Sequence, residues 1–143
     1  MIYLDANVII RWIEGLPEMR APIESRLLAA PSPIKLATSQ LSLLECRCRP
    51  LREENRDLLA LYDRFFAAAE LTLVPVDLKV IEEATGLRAL HHFKTPDATH
   101  LASAIVSQST VILSGDRQFS RFTGISVEII LIVCTSSENP VAC

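Results

Sequence analysis

Four carboxylates far apart in the sequence carry the most informative chemistry of this chain. They are Asp5, Glu45, Asp97 and Asp116. Asp5 follows an apolar run over residues 1–4 and Asp116 follows another over residues 110–114, so each is expected just past the end of a buried strand. In open parallel sheets, ligands bind outside those strand ends. A cluster of acids with no partnering lysine repels itself. It therefore predicts bound Mg²⁺ or Mn²⁺, the cations that all-oxygen sites select.

The other two acids lie on segments with helical periodicity. Thr95-Pro96-Asp97 predicts a helix start, with Thr95 as N-cap and Pro96 at the first helical position. Glu45 lies in the apolar stretch from Leu41 to Cys46, where an unpaired carboxylate would be costly to desolvate. We therefore expect Glu45 to have a partner.

Each acid also has a purely structural interpretation. Asp97 alone could be a favourable charge at a helix N-terminus, and Asp116 alone could be a turn residue. The joint order is more specific than its parts. It runs from an acid after the first strand, through one inside a helix and one opening a later helix, to one after the following strand.

The elements that position these acids alternate between strands and helices. Strands are predicted over residues 1–4, 34–37, 71–76, 110–114 and 126–133, and Pro75 favours an edge position for the third. Helices are predicted over residues 8–14, 22–30, 40–50, 52–70, 78–89 and 96–106, with Thr38 or Ser39, Asp77 and Thr95 as N-caps. Residues 90–94 are expected to form a loop, and 135–143 a flexible tail. This alternation predicts an α/β fold, with a parallel sheet between helical layers, in a single domain over residues 1–134.

Composition limits the classes of protein to which the chain could belong. It has 143 residues, 50% of them hydrophobic, and a net charge of −3, which argues against holding nucleic acid by bulk electrostatics. Of its 14 basic residues, 11 are arginines, and guanidinium groups suit phosphate recognition. Several flank the acids, although exposed helix faces carry such residues routinely.

The termini and cysteines point to a cytoplasmic protein. Asp5 interrupts the first apolar run, so no signal peptide is predicted. The run over residues 129–134 is far shorter than the roughly 20 residues that span a membrane. Cysteines 46, 48, 134 and 143 match neither a usual zinc knuckle nor an obvious disulfide framework, and reduced thiols are expected.

The sequence resembles the PIN domains and, among them, the VapC-type ribonuclease toxins of prokaryotic toxin–antitoxin pairs. The resemblance covers almost the whole chain and is carried by residues 3–7, 38–45, 96–102 and 113–119. It implies a three-layer α/β/α domain, often dimeric, that cleaves single-stranded or loop RNA. It also implies that Mg²⁺ or Mn²⁺ is held by the acids named above, with Asn7 and Ser114 in support. The family more often has Thr at Ser114, and Ser114-Gly115 keeps the hydroxyl but favours a looser turn.

Further expectations follow from the resemblance. An antitoxin would be the cognate partner, a homodimer the oligomeric state, and Arg47, Arg117 and Arg121 candidate RNA contacts. His100 lies three residues after Asp97 and could join the metal site, although a neutral histidine packed in a helix is commoner. His91 and His92 are more typical of loop residues that face phosphate or solvent than of ligands.

The mechanism implied by the acids uses a metal-activated water as nucleophile. Bound metal would lower the pKa of that water and neutralise charge on the scissile phosphate, and either one or two ions are compatible with the sequence. Asp5, Asp97 and Asp116 are the expected ligands, while Glu45 could be a ligand or an orienter of water.

Two other functions remain open. One is a haloacid dehalogenase-type phosphatase with an aspartyl nucleophile, although Asn7 stands where that class has a second acid. The other is a catalytically inactive binding protein with the same fold.

Overall fold

A five-stranded parallel sheet forms the centre of the computed structural model, which describes residues 1–130. The strands are β1 (Ile2–Leu4), β2 (Leu36–Ser39), β3 (Leu71–Val74), β4 (Val111–Ser114) and β5 (Ser126–Ile129). Their order is β3-β2-β1-β4-β5, and every neighbouring pair is parallel. All five carboxyl ends therefore lie along one edge, with β1 at the centre. The edge position predicted for β3 is confirmed.

Among residues 1–130, six α-helices cover the two faces of the sheet. They are α1 (Ala6–Glu14), α2 (Pro17–Leu28), α3 (Gln40–Arg52), α4 (Arg56–Phe66), α5 (Leu78–His91) and α6 (Thr95–Val106), and a 3-10 helix follows over Arg117–Arg121. Alternate residues of a strand point to opposite faces. Ile2 and Leu4 accordingly pack with buried residues of α1 to α4, whereas Tyr3 packs with those of α5 and α6. The predicted three-layer α/β/α fold is confirmed.

Several predicted boundaries were wrong by a few residues. Helix α2 begins at Pro17, which occupies the first helical position favoured by proline, and Pro22 lies inside the helix rather than at its start. Pro50 does not end α3, which continues to Arg52. The longest predicted helix, over 52–70, is shorter in the structure, because α4 begins at Arg56 after the N-cap Asn55 and ends at Phe66.

The caps of three helices were predicted with mixed success. Ser39 and Asp77 each accept a hydrogen bond from a backbone N–H of the following helix, as expected. Thr95 is the first helical residue of α6 rather than its N-cap, and Lys94 occupies the N-cap position without a side-chain bond.

Some predictions lie wholly or partly outside the described residues. Strand β5 ends at Ile129, and residues 131–133 of the predicted last strand lie outside the described residues. The domain end at residue 134 and the predicted tail over 135–143 also lie outside. Within residues 1–130, no helix combines the length and apolar character needed to cross a membrane. In the same part of the chain, Cys46 and Cys48 are free thiols.

Candidate active site

Asp5 lies at the carboxyl end of β1, where the chain turns directly into α1. Its side chain is buried, and its Oδ2 atom accepts hydrogen bonds from the Asn7 amide and the Ser114 hydroxyl, each at 2.6 Å. Burial raises the pKa of Asp5 above its usual range, although the charge of His100 and the Ser114 hydrogen bond oppose the rise. This carboxylate is therefore both desolvated and fixed in orientation.

Two polar side chains join the end of β1 to the turn after β4. Oδ1 of Asn7 accepts a hydrogen bond from the Gly115 backbone N–H at 2.8 Å, and Oγ of Ser114 accepts one from the Asp116 backbone N–H at 2.9 Å. These bonds hold the turn that the Ser114-Gly115 sequence was expected to loosen. They place Asp5 and Asp116 at the same edge of the sheet.

Asp116 is the N-cap of the 3-10 helix, and its Oδ1 accepts a hydrogen bond from the Gln118 backbone N–H at 2.8 Å. The turn role considered for this residue is therefore real. It occupies one carboxylate oxygen, and no hydrogen bond from residues 1–130 reaches the other. Capping and metal binding are thus compatible at Asp116.

Glu45 has the partner that its position required. Oε2 of Glu45 lies 2.8 Å from Nε2 of His100 on α6. The helix around Glu45 is less buried than its apolar residues suggested, because Leu44 is 66% exposed. The partner is nevertheless a buried imidazole that also lies 3.7 Å from Oδ1 of Asp5.

Asp97 lies in the first turn of α6, where the helix dipole favours a negative charge. Burial raises the pKa of Asp97 above its usual range, and the charges of Asp116 and Asp5 raise it further. The three aspartates therefore interact electrostatically, as expected for acids that share one site.

The donor chemistry at this edge fits a hard divalent cation. The acids offer carboxylate oxygens, and repulsion among three of them is the condition that a cation would relieve. In the part of the chain that the structure describes, no three acidic, histidine or cysteine side chains already converge as a complete metal centre. The residues thus supply a suitable donor set rather than a finished coordination shell.

The three arginines predicted to contact RNA lie in different surroundings. Arg47 on α3 lies next to Asp63 on α4, with Nε 3.3 Å from Oδ1. Arg121 places its guanidinium 4.7 Å from the centre of the Phe93 ring, and Arg117 is exposed at the start of the 3-10 helix. Arg117 and Arg121 follow Asp116 directly, whereas Arg47 already has an acidic neighbour that a phosphate would have to displace.

The predicted loop around His91 and His92 is partly helical. His91 is the last residue of α5, and His92 follows in the left-handed conformation with φ 56°. The His91 ring packs edge-on against Phe122, with 5.4 Å between ring centres. Both histidines are exposed, and their proposed contact with phosphate stays a prediction.

Two residues near the site were missed by sequence reasoning. The Tyr3 hydroxyl lies 2.8 Å from Nδ1 of His100, and the only sequence signal was a hydroxyl-bearing residue in a buried strand two positions before Asp5. The Arg11 guanidinium lies against Gly115, where a Cβ atom would approach Nη1 to 2.1 Å. Arg11 follows Asn7 by four residues, so helical spacing alone places both on one face of α1.

The fold and the acids at its carboxyl edge define a class of protein. The model of the PIN domain family matches residues 2–125, a span that contains the sheet up to the last loop before β5 and all four acids. The chain therefore belongs to the PIN domain family. No curated protein matches it in sequence.

Solved structures of low sequence identity share this fold. The VapBC2 complex of Rickettsia felis, bound to a DNA fragment from its promoter, has 17% identity and a TM-score of 0.70, covering 90% of this chain and 98% of the other. A toxin–antitoxin complex of Klebsiella pneumoniae has 20% identity and a TM-score of 0.69, covering 93% and 100%. A Sarcin-Ricin loop cleaving toxin of Mycobacterium tuberculosis has 18% identity and a TM-score of 0.68, covering 85% and 94%.

Proposed function

We propose that this protein is a Mg²⁺- or Mn²⁺-dependent endoribonuclease and the toxin of a type II toxin–antitoxin pair. The observation that carries the proposal is the hydrogen-bonded link from Asp5 through Ser114 to Asp116. Two further acids interact with charged groups of this site, since Glu45 pairs with His100 and the charges of Asp116 and Asp5 raise the pKa of Asp97. Membership of the PIN family supports nuclease chemistry. The likeness to a toxin that cleaves the Sarcin-Ricin loop supports RNA as the substrate.

The side chains divide the work of hydrolysis among them. Asp5, Asp97 and Asp116 would hold the metal, and Asn7 and Ser114 keep Asp5 in one orientation. When bound, the ion supplies a water of lowered pKa and neutralises charge on the scissile phosphate. Glu45 either shares the ion or orients the attacking water. Water, rather than a side chain, is the nucleophile.

An antitoxin is the proposed partner, since toxin–antitoxin complexes are among the structures with this fold. An apolar groove of about 370 Å³ is available for it, and Leu28 at this groove is 86% exposed. The groove is lined by Trp12, Glu24, Leu27, Leu28, Ile34 and Leu36. We expect the antitoxin to add an arginine or lysine that reaches between the acids, because a cation there replaces the charge of the metal. A homodimer and a cytoplasmic location complete the proposal.

The decisive experiment incubates the purified chain with tRNA, rRNA and mRNA, with Mg²⁺ or Mn²⁺ and with excess EDTA, and maps the cut ends. Cleavage at defined sites that stops in EDTA is the expected result. Robust cleavage in excess EDTA would eliminate the metal-activated water.

The same preparation distinguishes the rival functions. If the enzyme became phosphorylated and hydroxylamine released the phosphate, the protein would be an aspartyl phosphatase rather than a ribonuclease. Binding of RNA without cleavage under every metal condition would support the inactive binding protein. For the toxin role, co-expression with an antitoxin should restore growth, and normal growth of cells that overproduce the active chain alone would count against it.

A further inference from the structure

His100 connects three elements of the fold through its two ring nitrogens. The residue lies on α6 and is 2% exposed. Its Nδ1 lies 2.8 Å from the Tyr3 hydroxyl on β1, and its Nε2 lies 2.8 Å from Oε2 of Glu45 on α3. The imidazole therefore bridges the central strand and the helix that carries Glu45.

The chemistry of Glu45 fixes the direction of its hydrogen bond with His100. A carboxylate only accepts hydrogen bonds, so Nε2 of His100 must carry the hydrogen that it shares with Glu45. Nδ1 then accepts the hydrogen of the Tyr3 hydroxyl when the ring is neutral and donates a hydrogen to that oxygen when the ring is charged. Tyr3 is fully buried, and its ring meets the imidazole edge-on with 6.1 Å between centres. Rotation of the imidazole would break both bonds in a buried site.

We infer that His100 is a positioning residue that orients Glu45 for the reaction. Its Nε2–H bond takes up Oε2, and no hydrogen bond from residues 1–130 reaches Oε1 of Glu45. The carboxylate group of Glu45 is part-exposed on a helix, with its side chain 29% accessible, so without this bond it would sample other rotamers. His100 thereby leaves Oε1 as the oxygen available to the ion or to the attacking water.

The same geometry argues against His100 as a metal ligand. A histidine binds metal through an unprotonated nitrogen. Nε2, the nitrogen that faces Glu45 and lies 3.7 Å from Asp5, carries a hydrogen, and Nδ1 is occupied by Tyr3. The imidazole acts on the site through Glu45.

This inference rests on the proposed ribonuclease function, and substitutions at His100 separate the two. His100→Gln places an amide N–H near the position of Nε2, whereas His100→Asn does not reach Glu45. We expect His100→Asn to lower kcat roughly 10- to 100-fold with little change in KM, as for the loss of a partner that orients a ligand. His100→Gln should recover part of that loss. Thr99→Val is the matched control, because the Thr99 hydroxyl donates its hydrogen bond to the Thr95 carbonyl on the same helix, and its activity should equal that of the wild type.

A double-mutant cycle provides a result that a merely structural role would not give. If His100 acts through Glu45, His100→Asn should have almost no further effect on kcat in a Glu45→Gln background. Multiplicative losses in the double variant would overturn the inference, as would full activity of His100→Asn. Thermal unfolding of each variant identifies any that fails to fold. If His100→Asn does not fold, the same cycle is run with His100→Gln, whose smaller loss of kcat should likewise disappear in the Glu45→Gln background.

Two measurements without RNA complete the test. ¹⁵N NMR of the metal-free protein should show His100 with a hydrogen on Nε2, and the signal should move in Glu45→Gln. Calorimetry should show that the His100→Gln variant still binds Mn²⁺ and that the Asp97→Asn variant does not. Loss of Mn²⁺ binding in both would make His100 a ligand and overturn the inference. A wild-type chain that cleaves no RNA would instead overturn the proposed function, and the catalytic part of this inference with it, whatever the NMR result.

Discussion

The Ser114 hydroxyl donates a hydrogen bond to Oδ2 of Asp5 at 2.6 Å, across 109 positions of sequence. Oγ of Ser114 also accepts a hydrogen bond from the backbone N–H of Asp116 at 2.9 Å. One buried hydroxyl thus sets the orientation of the first acid and the path of the chain at the last. The neighbouring strands β1 and β4 supply the two ends of this link.

Ser114→Ala should therefore reduce cleavage by at least tenfold, comparable with the loss of other partners that orient ligands. Stability should fall by about 1 kcal/mol, since one buried hydrogen-bonding group loses its partner. Ser109→Ala is the control, because that hydroxyl contacts Ser107 rather than the acids. Initial cleavage rates and urea unfolding measure the two effects. Equal rates for the two variants would show that the Ser114 link has no catalytic consequence.

Neutralisation of the aspartates should abolish activity without unfolding the chain. Asp5→Asn, Asp97→Asn and Asp116→Asn each remove the charge of a proposed metal ligand while keeping the shape of the side chain. Cleavage should fall by orders of magnitude, and circular dichroism should remain that of the wild type. If Asp97→Asn unfolded the protein yet retained activity per folded molecule, Asp97 would be a helix-start residue and the proposed site would be wrong.

Asp97→Asn should also leave metal-free stability unchanged or raise it. Burial and the charges of Asp116 and Asp5 raise the folded-state pKa of Asp97, so the ionised form destabilises the fold. The favourable contribution of the protonated form is complete below the unfolded-state pKa and is lost as pH rises through the raised pKa. The gain at pH 7 should be about 1 kcal/mol or less, because solvent screens this partly exposed group. Thermal unfolding in EDTA at pH 7 and at pH 4 checks the sign, since the difference should shrink at the lower pH.

Two glycines near Arg11 should respond differently to alanine. A Cβ at Gly15 would lie 2.2 Å from the Arg11 carbonyl oxygen, which is backbone and cannot move freely. The three atoms nearest to a Cβ at Gly115 would all belong to the guanidinium of Arg11, the far end of a flexible side chain. Gly15→Ala should cost about 1–3 kcal/mol, as overpacking does, and Gly115→Ala roughly 0.5 kcal/mol or less. Urea unfolding of the two variants would contradict this account if Gly115→Ala proved the more damaging.

Cys46 and Cys48 should differ in reactivity. Burial, followed by the charges of Glu45 and Asp5, raises the pKa of the Cys46 thiol to about 12, whereas Cys48 is exposed. Because the thiolate is the reactive form, iodoacetamide at pH 8 should modify Cys48 and spare Cys46 in the native protein. Trypsin cuts after Arg47, so mass spectrometry reads the two cysteines in separate peptides. Urea-unfolded protein is the control, in which both should react. Equal labelling of the native chain would show that the α3 face around Cys46 opens readily.

Much of the fold, and the places of the candidate site residues within it, could be predicted from the sequence. Asp5 and Asp116 were assigned to strand ends because a buried parallel strand appears as a short apolar run, and parallel strands end at a common edge. Asp77 could be predicted as an N-cap from its residue type, because such a cap bonds a backbone N–H only three residues away, as it does in the structure. Such features depend on neighbours in sequence.

Which side chains meet, and where several helices begin, depends on how the whole chain packs. Thr95 was a plausible cap by type, yet α6 starts one residue earlier, with Lys94 at the N-cap position and no side-chain cap bond. The bonds from His100 to Tyr3 and Glu45 span 97 and 55 positions, and Arg47 lies beside Asp63 on the next helix. No local periodicity encodes these distances. They follow from the strand order, which places β1 beside β4, and from helices α3 and α6, which approach each other only when the chain is folded.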